Sequence, residues 1–183
     1  MKRTTSGVIL FLLTLAMLAS AAGSSSAADL VVTPISRDGR VFVSFEWAAG
    51  MTPDVRDAIR SGLPTTFSYR IEVLRGTAAW FSRTVASVTV NSSVQFDNLT
   101  RRYQLSRTID GRLEDSRQTD DQEAMQRWLT RFDQLPVLGT SVLEANGEYD
   151  VRVRVQKTPR NSWFFLPWDR TTTLGAAKFT FLP

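Results

Sequence analysis

Residues 149–156 read Tyr-Asp-Val-Arg-Val-Arg-Val-Gln, with an apolar side chain at every odd position and a polar one at every even position. A period of two is the pattern of a β-strand that buries one face and exposes the other to water. Half-buried strands are typical of antiparallel sheets, because the strands of a parallel α/β core are apolar on both faces. This stretch therefore predicts a protein built from antiparallel strands.

The same alternation returns at five other places along the chain. Its apolar members are Val41, Val43, Phe45 and Trp47; Phe67, Tyr69, Ile71 and Val73; Val88, Val90, Val94 and Phe96; Tyr103, Leu105 and Ile109; and Ala177, Phe179 and Phe181. Asp38-Gly39, Asp110-Gly111 and Asn146-Gly147 supply turn signals, and Asp-Gly favours the type I′ hairpin turn. Pro34 cannot donate to a ladder, which predicts an edge position for a first strand over about residues 30–35. We predict a mainly β fold, an antiparallel β-sandwich of immunoglobulin-like kind with about seven or eight strands and two short helices.

The first helix is signalled by Thr52-Pro53-Asp54, which combines a capping hydroxyl, a proline at the first helical position and an acid at the positive helix end. Val55, Ala58 and Ile59 form its apolar face, and Gly62 ends it.

The second helix has a stronger signal. Asp120 can cap it and Glu123 follows three residues later, which is the spacing of a capping box. Its apolar stripe consists of Met125, Trp128, Leu129 and Phe132, and Pro136 stops the run. Such a stripe normally packs against a core. We therefore expect it to cover the sheets rather than to hold a cofactor.

The N-terminal residues have the features of a secretory leader. Lys2 and Arg3 precede an apolar run, residues 8–18, that is too short to span a bilayer, and small residues follow. We expect cleavage after Ala21 or Ala28. The predicted organisation is a signal peptide over residues 1–28 and one β-sandwich domain over residues 29–183, placed in the periplasm or secreted.

The composition excludes several classes of function. The chain has no cysteine and no histidine, so neither disulfides, nor lipid attachment, nor the usual general base and zinc ligand are present. The leader carries two of the 22 basic residues and none of the 18 acidic ones, which leaves a formal charge of +2. This is too small for a nucleic-acid binder. We expect no cofactor, no metal and no integral membrane segment after processing.

Several groups of residues occur in the order found in one known family. They are residues 57–67 (Asp-Ala-Ile-Arg-Ser-Gly-Leu-Pro-Thr-Thr-Phe), 71–75 (Ile-Glu-Val-Leu-Arg), Trp80, 99–105 (Leu-Thr-Arg-Arg-Tyr-Gln-Leu), Ala124 and Leu129 in the second helix, and 149–154 (Tyr-Asp-Val-Arg-Val-Arg). On these residues the chain resembles the bacterial family of exported proteins catalogued as domain of unknown function 4390. The resemblance covers residues 31–181. It implies no catalytic residue, because the family has no assigned activity.

One segment stands out as a candidate site and departs from the family pattern by its density of aromatic residues. Residues 163–168 read Trp-Phe-Phe-Leu-Pro-Trp, with Lys157, Arg160 and Arg170 as basic neighbours. The candidates for contact with a partner or a membrane are Trp163, Phe164, Phe165 and Trp168. The alternative is a loop that plugs the core, since tryptophan is heavily buried on average.

Two sets of carboxylates are further candidate sites. Glu114, Asp115, Asp120 and Asp121 lack the spacing of a calcium loop and have arginines among them, so we expect a solvated loop. Glu46, Glu72, Glu148 and Asp150 offer no pattern that pairs two carboxylates for glycoside hydrolysis.

The resulting hypothesis is a non-enzymatic module that binds a protein partner in the cell envelope. Two alternatives remain: a carrier or sensor of an apolar or amphipathic ligand held between the sheets, and a hydrolase built on carboxylates. The sequence leaves the oligomeric state open.

Overall fold

The computed structural model describes residues 30–76, 82–159 and 173–182. In these ranges the strands are β1 (Val31–Arg37), β2 (Arg40–Glu46), β3 (Thr65–Gly76), β4 (Ser82–Asp97), β5 (Arg102–Ile109), β6 (Arg112–Thr119), β7 (Arg131–Gly139), β8 (Glu148–Pro159) and β9 (Thr173–Thr180). The helices are α1 (Pro53–Arg60) and α2 (Gln122–Thr130), and short 3-10 turns lie at Ala48–Gly50 and Thr140–Val142.

The strands form two sheets in which every pair is antiparallel. The smaller sheet has the order β1-β2-β7, and the larger has the order β6-β5-β4-β3-β8-β9. Both Asp-Gly turns have positive φ at their two central residues, namely 50° and 73° at Asp38-Gly39 and 47° and 79° at Asp110-Gly111, as a type I′ turn requires. The predicted antiparallel β-sandwich is confirmed, and β1 lies at an edge, as Pro34 indicates.

One cluster of buried side chains joins the two sheets. At its centre Phe45 of β2, Tyr69 of β3 and Phe132 of β7 contact one another, with ring centroids 4.7 to 5.2 Å apart. Aromatic pairs at this separation stabilise a core beyond the area they bury. The apolar faces predicted for β3 and β8 are buried throughout, so the period-two patterns identify the core correctly.

The first helix follows its sequence signals. The Oγ1 atom of Thr52 accepts a hydrogen bond from the amide of Val55, at 3.4 Å, and Pro53 is the first helical residue. Val55 and Ile59 are buried, and the chain turns at Gly62 with φ of 83°.

The second helix departs from its prediction at both ends. Its N-cap is Asp121, not Asp120, because the carboxylate of Asp121 accepts from the amide of Glu123 at 2.7 Å. Its last residue is Thr130, so Phe132 belongs to β7 and Pro136 lies inside that strand instead of stopping a helix. The four residues of the predicted stripe are nonetheless all buried.

A β-bulge in β7 explains why the side chain of Phe132 packs in the core although the residue lies in a strand. Where β2 advances two residues, from Val43 to Phe45, β7 moves three, from Leu135 to Phe132. The extra residue accommodates Gln134, whose φ is 53° and whose amide donates to the Oγ of Ser44 at 2.9 Å. Phe132 and Leu135 therefore both face the core although they are three residues apart.

The predicted acidic loop is a strand in part. Glu114 and Asp115 lie in β6, and Asp121 caps α2. The expectation of a loop over this region was wrong, because β5 supplies a hydrogen-bonding partner to a segment that has no apolar alternation of its own. The side chains of these acids are nevertheless exposed.

Candidate functional site

The C-terminal end of α2 is held by strands of the larger sheet and by the residue that follows β2. The last four carbonyl groups of a helix have no partner within it. Here the carbonyl of Trp128 accepts from the Oγ of Ser92 on β4, at 2.8 Å, and from the guanidinium of Arg107 on β5, at 2.7 Å. Side chains from two neighbouring strands of the larger sheet therefore donate hydrogen bonds to the same main-chain oxygen.

The next two carbonyls are satisfied in the same way. The hydroxyl of Tyr69 on β3 donates to the carbonyl of Leu129, and the amide of Trp47 donates to that of Thr130 at 2.9 Å. Burial raises the pKa of Tyr69 far above its ordinary value, despite the opposing effect of Arg107. The phenol is thus a permanent donor at neutral pH.

Arg107 also packs its guanidinium against aromatic rings. Its carbon atom Cζ lies 4.2 Å from the ring centroid of Trp128 and 4.2 Å from that of Phe132. The Cζ atom of Arg117, on β6, lies 4.1 Å from the Trp128 ring as well. Two cations therefore share one indole, at distances typical of cation–π contacts.

Two donors at this stack are left without a partner. The Nε of Arg107 and the Nε1 of Trp128 are buried and form no hydrogen bond within the part of the chain that the structure describes. Buried donors are nearly always satisfied in proteins, so each such group calls for an explanation. A ligand atom that accepts hydrogen bonds would provide one.

A pocket of about 630 Å³ surrounds the stack. Its charged and aromatic lining residues are Arg107, Arg117, Arg127, Arg131, Asp133 and Trp128. Four guanidinium groups and one carboxylate thus face a common space between α2, the β5–β6 hairpin and the start of β7. We call this space the arginine pocket.

Three of these arginines already contact carboxylates. The ion pairs are Arg117–Asp115 at 3.5 Å, Arg127–Glu123 at 3.5 Å, Arg127–Asp121 at 3.9 Å and Arg131–Asp133 at 3.2 Å. All these side chains are about half exposed or more, so each pair contributes little to stability. Arg107 has no carboxylate within 4.0 Å among the described residues, and its guanidinium contacts two aromatic rings and a main-chain carbonyl instead.

The electrostatic setting of Arg107 is unfavourable in the absence of an anion. The pKa of Arg107 is lowered to about 10, mainly by burial and also by the positive charge of Arg117, while Asp115 and Tyr69 act in the opposite direction. The group is still charged at neutral pH. A negative charge beside it would relieve both the desolvation and the repulsion.

The outer strand β6 borders this pocket. In the larger sheet its one neighbour among the described strands is β5, and its residues from Arg112 to Gln118 are all exposed. Arg117 pairs with Leu105 and Thr119 pairs with Tyr103, so both lie on the face of the sheet that carries the core. The free edge of β6 and the arginine pocket therefore meet along residues 117–119.

The structure does not bring the sites expected from the sequence together in the residues that it describes. Trp163, Phe164, Phe165 and Trp168 lie outside the described residues, as do Trp80 and the predicted leader. Among the carboxylates weighed for hydrolysis, Glu72 forms an ion pair with Arg154 at 3.6 Å. In the described ranges, no three acidic residues come together as a metal site would need.

The arginine pocket was missed by sequence reasoning, although one signal for it was present. Tyr103, Leu105 and Ile109 share one parity of β5, and Arg107 occupies the same parity between them. A charged residue on the buried face of a strand is uncommon and points to a paired or functional group. Ser92 is the equivalent signal on β4, between Val90 and Val94.

The comparisons with known proteins give a family and no activity. A family model described as a domain of unknown function (DUF4390) matches residues 27–159. The match ends before the aromatic segment at residues 163–168, so the resemblance is shorter than the expected 31–181. No curated protein and no solved structure matches the chain. Across the described ranges, neither helix has the length and apolar character needed to traverse a bilayer.

Proposed function

The chain belongs to the family of domain of unknown function 4390, and because that membership brings no activity with it, we propose from the geometry that the domain is a non-enzymatic module that binds a protein partner. The partner pairs with the edge of β6 in the cell envelope. The location rests on the leader features of residues 1–28.

The observation that carries this proposal is the exposed outer strand. β6 has β5 on one side and, among the described strands, none on the other. An exposed edge offers a row of main-chain donors and acceptors to an extended segment, which is the basis of recognition by strand addition. The charged residues of β6 and the bulge at Glu114, where Arg107 pairs with Asp115 and Thr108 with Leu113, oppose unselective pairing. The regular part that remains is residues 115–119.

The composition of the chain supports a binding role. The chain has no histidine and no cysteine, and Asp133, the carboxylate that lines the arginine pocket, contacts Arg131 at 3.2 Å. The one carboxylate of the pocket is thus already engaged by a guanidinium, and the usual general base, histidine, is absent from the chain.

The second hypothesis, a ligand held between the sheets, has less support. Phe45 and Phe132 of the smaller sheet contact Tyr69 of the larger one directly, and Trp47 contacts Phe67 in the same way, at 5.3 Å. Side chains therefore occupy the space that such a ligand would need. A fluorescent fatty-acid probe that fails to bind the purified protein would agree with this preference.

Site-specific crosslinking in intact cells tests the proposal. A photoreactive residue at Ser116, which is exposed on β6, should give a discrete adduct with one envelope protein. The matched control is the same residue at Lys178, which is exposed on β9 at the other side of the same sheet. Equal adducts at both positions, or none at Ser116, would contradict strand addition at β6.

A further inference from the structure

The arginine pocket has a binding capacity that its own carboxylates leave unused. Its rim arginines, Arg117, Arg127 and Arg131, hold acids that lie at the surface. Arg107 lies deeper and has no such acid among the described residues, while its Nε remains buried and unpaired. The pocket therefore favours one additional negative charge at Arg107.

Arg107 is also preorganised for such a charge. The rings of Trp128 and Phe132 and the carbonyl of Trp128 fix its guanidinium in place. A planar guanidinium that is already ordered loses little entropy when it binds, and its shape matches a carboxylate with two oxygens. The unpaired Nε1 of Trp128 adds a second donor to the same stack.

The position of β6 suggests where that carboxylate comes from. A strand added to β6 would run about 4.8 Å from it. Its side chain opposite Arg117 would lie on the core-side face of the sheet, because directly opposed residues share a face. Arg117 reaches the Trp128 ring, so this side chain would enter the arginine pocket.

We propose that the arginine pocket binds the carboxylate of an acidic residue in the extended partner segment that pairs with β6, with Arg107 as its main contact. This inference rests on the proposed function and adds the chemistry of its specificity. A carboxylate is favoured over a phosphate group because a single negative charge balances Arg107, whereas the other arginines already face acids.

The test uses two capped peptides and the purified protein. The peptides are Thr-Val-Glu-Val-Thr and the same sequence with Gln at the centre, so that they differ in one charge. Binding is followed through the side-chain Nε–H signals of Arg107 and Trp128 in proton–nitrogen correlation spectra. We expect the Glu peptide to shift both signals. The Gln peptide should bind with an affinity about tenfold lower, which is the difference in affinity that one charge-assisted hydrogen bond provides.

Three variants establish that the pocket is responsible. Arg107→Met should weaken binding of the Glu peptide by about tenfold or more. Arg117→Met should weaken it as well, and since the Arg117 side chain is 58% exposed, this variant keeps the test valid if the first one fails to fold. Arg70→Met, on the exposed face of β3, is the control and should leave binding unchanged.

Two further probes separate the possible sources of negative charge. Inorganic phosphate and vesicles of phosphatidylglycerol are titrated against the same two signals. If either moves them at lower concentration than the Glu peptide, the pocket is a phosphate site and the proposal is wrong. Equal binding of the Glu and Gln peptides overturns the carboxylate contact while leaving pairing at β6 intact. If the Ser116 crosslink fails but the Glu peptide binds as expected, the proposed partner function in the envelope is wrong and the carboxylate site is still supported.

Discussion

The guanidinium of Arg107 lies 4.2 Å above the ring of Trp128 and donates to the main-chain carbonyl of the same residue at 2.7 Å. One side chain of β5 therefore holds both the side chain and the main chain of the last turn of α2. Because α2 is fixed to the hairpin in this way, the position of α2 and the shape of the arginine pocket depend on the same contacts.

Trp128→Ala should lower the free energy of unfolding by about 3 to 5 kcal/mol, the range for emptying a buried aromatic site. Trp128 is 4% exposed and packs under two arginines. Chemical denaturation measures the change, with Leu113→Ala on exposed β6 as the control. A loss below about 1 kcal/mol, as for a surface substitution, would mean that α2 is docked some other way.

Ser92→Ala should cost about 0.5 to 1.5 kcal/mol, because it removes one hydrogen bond from the carbonyl of Trp128. The loss stays moderate since Arg107 still donates to that oxygen. Urea denaturation of this variant is compared with Ser87→Ala, an exposed serine on the same strand. Identical midpoints for the two variants would show that the buried hydroxyl contributes nothing.

The raised pKa of Tyr69 predicts a loss of stability at alkaline pH. Its pKa is raised above the ordinary 10.0 by burial, so the folded protein keeps a proton that the unfolded chain releases. The contribution is complete below about pH 10 and is lost as the pH rises toward the folded value. The stability advantage of the wild type over Tyr69→Phe should shrink between about pH 9 and pH 11. A constant difference would contradict the assignment.

Arg107→Met should leave the free energy of unfolding within about 1 kcal/mol of the wild-type value, or raise it. Methionine retains an apolar stem against Trp128 and Phe132 and removes a charged group whose pKa is lowered to about 10, mainly by burial. Thermal and urea unfolding both report the effect. A loss of several kcal/mol would mean that Arg107 is needed for the fold itself, and not mainly for a ligand.

The aromatic segment at residues 163–168 remains a prediction. If it plugs the core, Trp163→Ala and Trp168→Ala should each cost several kcal/mol, and if it is exposed, stability should change by about 0.5 kcal/mol or less while binding of a partner or of anionic vesicles weakens. We expect one of the two tryptophans to lie in the core and the other to be partly exposed. Two fully buried tryptophans with no loss of binding would remove this segment as a site.

Most strands of the fold were readable from the sequence, and two were not. β6 was missed because it has no apolar side to produce an alternation, and it exists as a strand through its pairing with β5. β7 was missed because its bulge places Phe132 and Leu135 three residues apart on one face. A spacing of three residues is also typical of one face of a helix, so the sequence pattern places Phe132 in the second helix.

The sequence by itself determined the local features: the alternating faces of β3 and β8, the Asp-Gly turns, the cap of α1 and the buried stripe of α2. Each of these depends on residues within a few positions of one another, and such patterns are visible in the chain. Only the tertiary structure decided where α2 ends and what surrounds Arg107. These outcomes depend on contacts such as Tyr69 with Leu129 and Ser92 with Trp128, which join residues 60 and 36 positions apart, and no local pattern specifies which distant donor reaches a helix end.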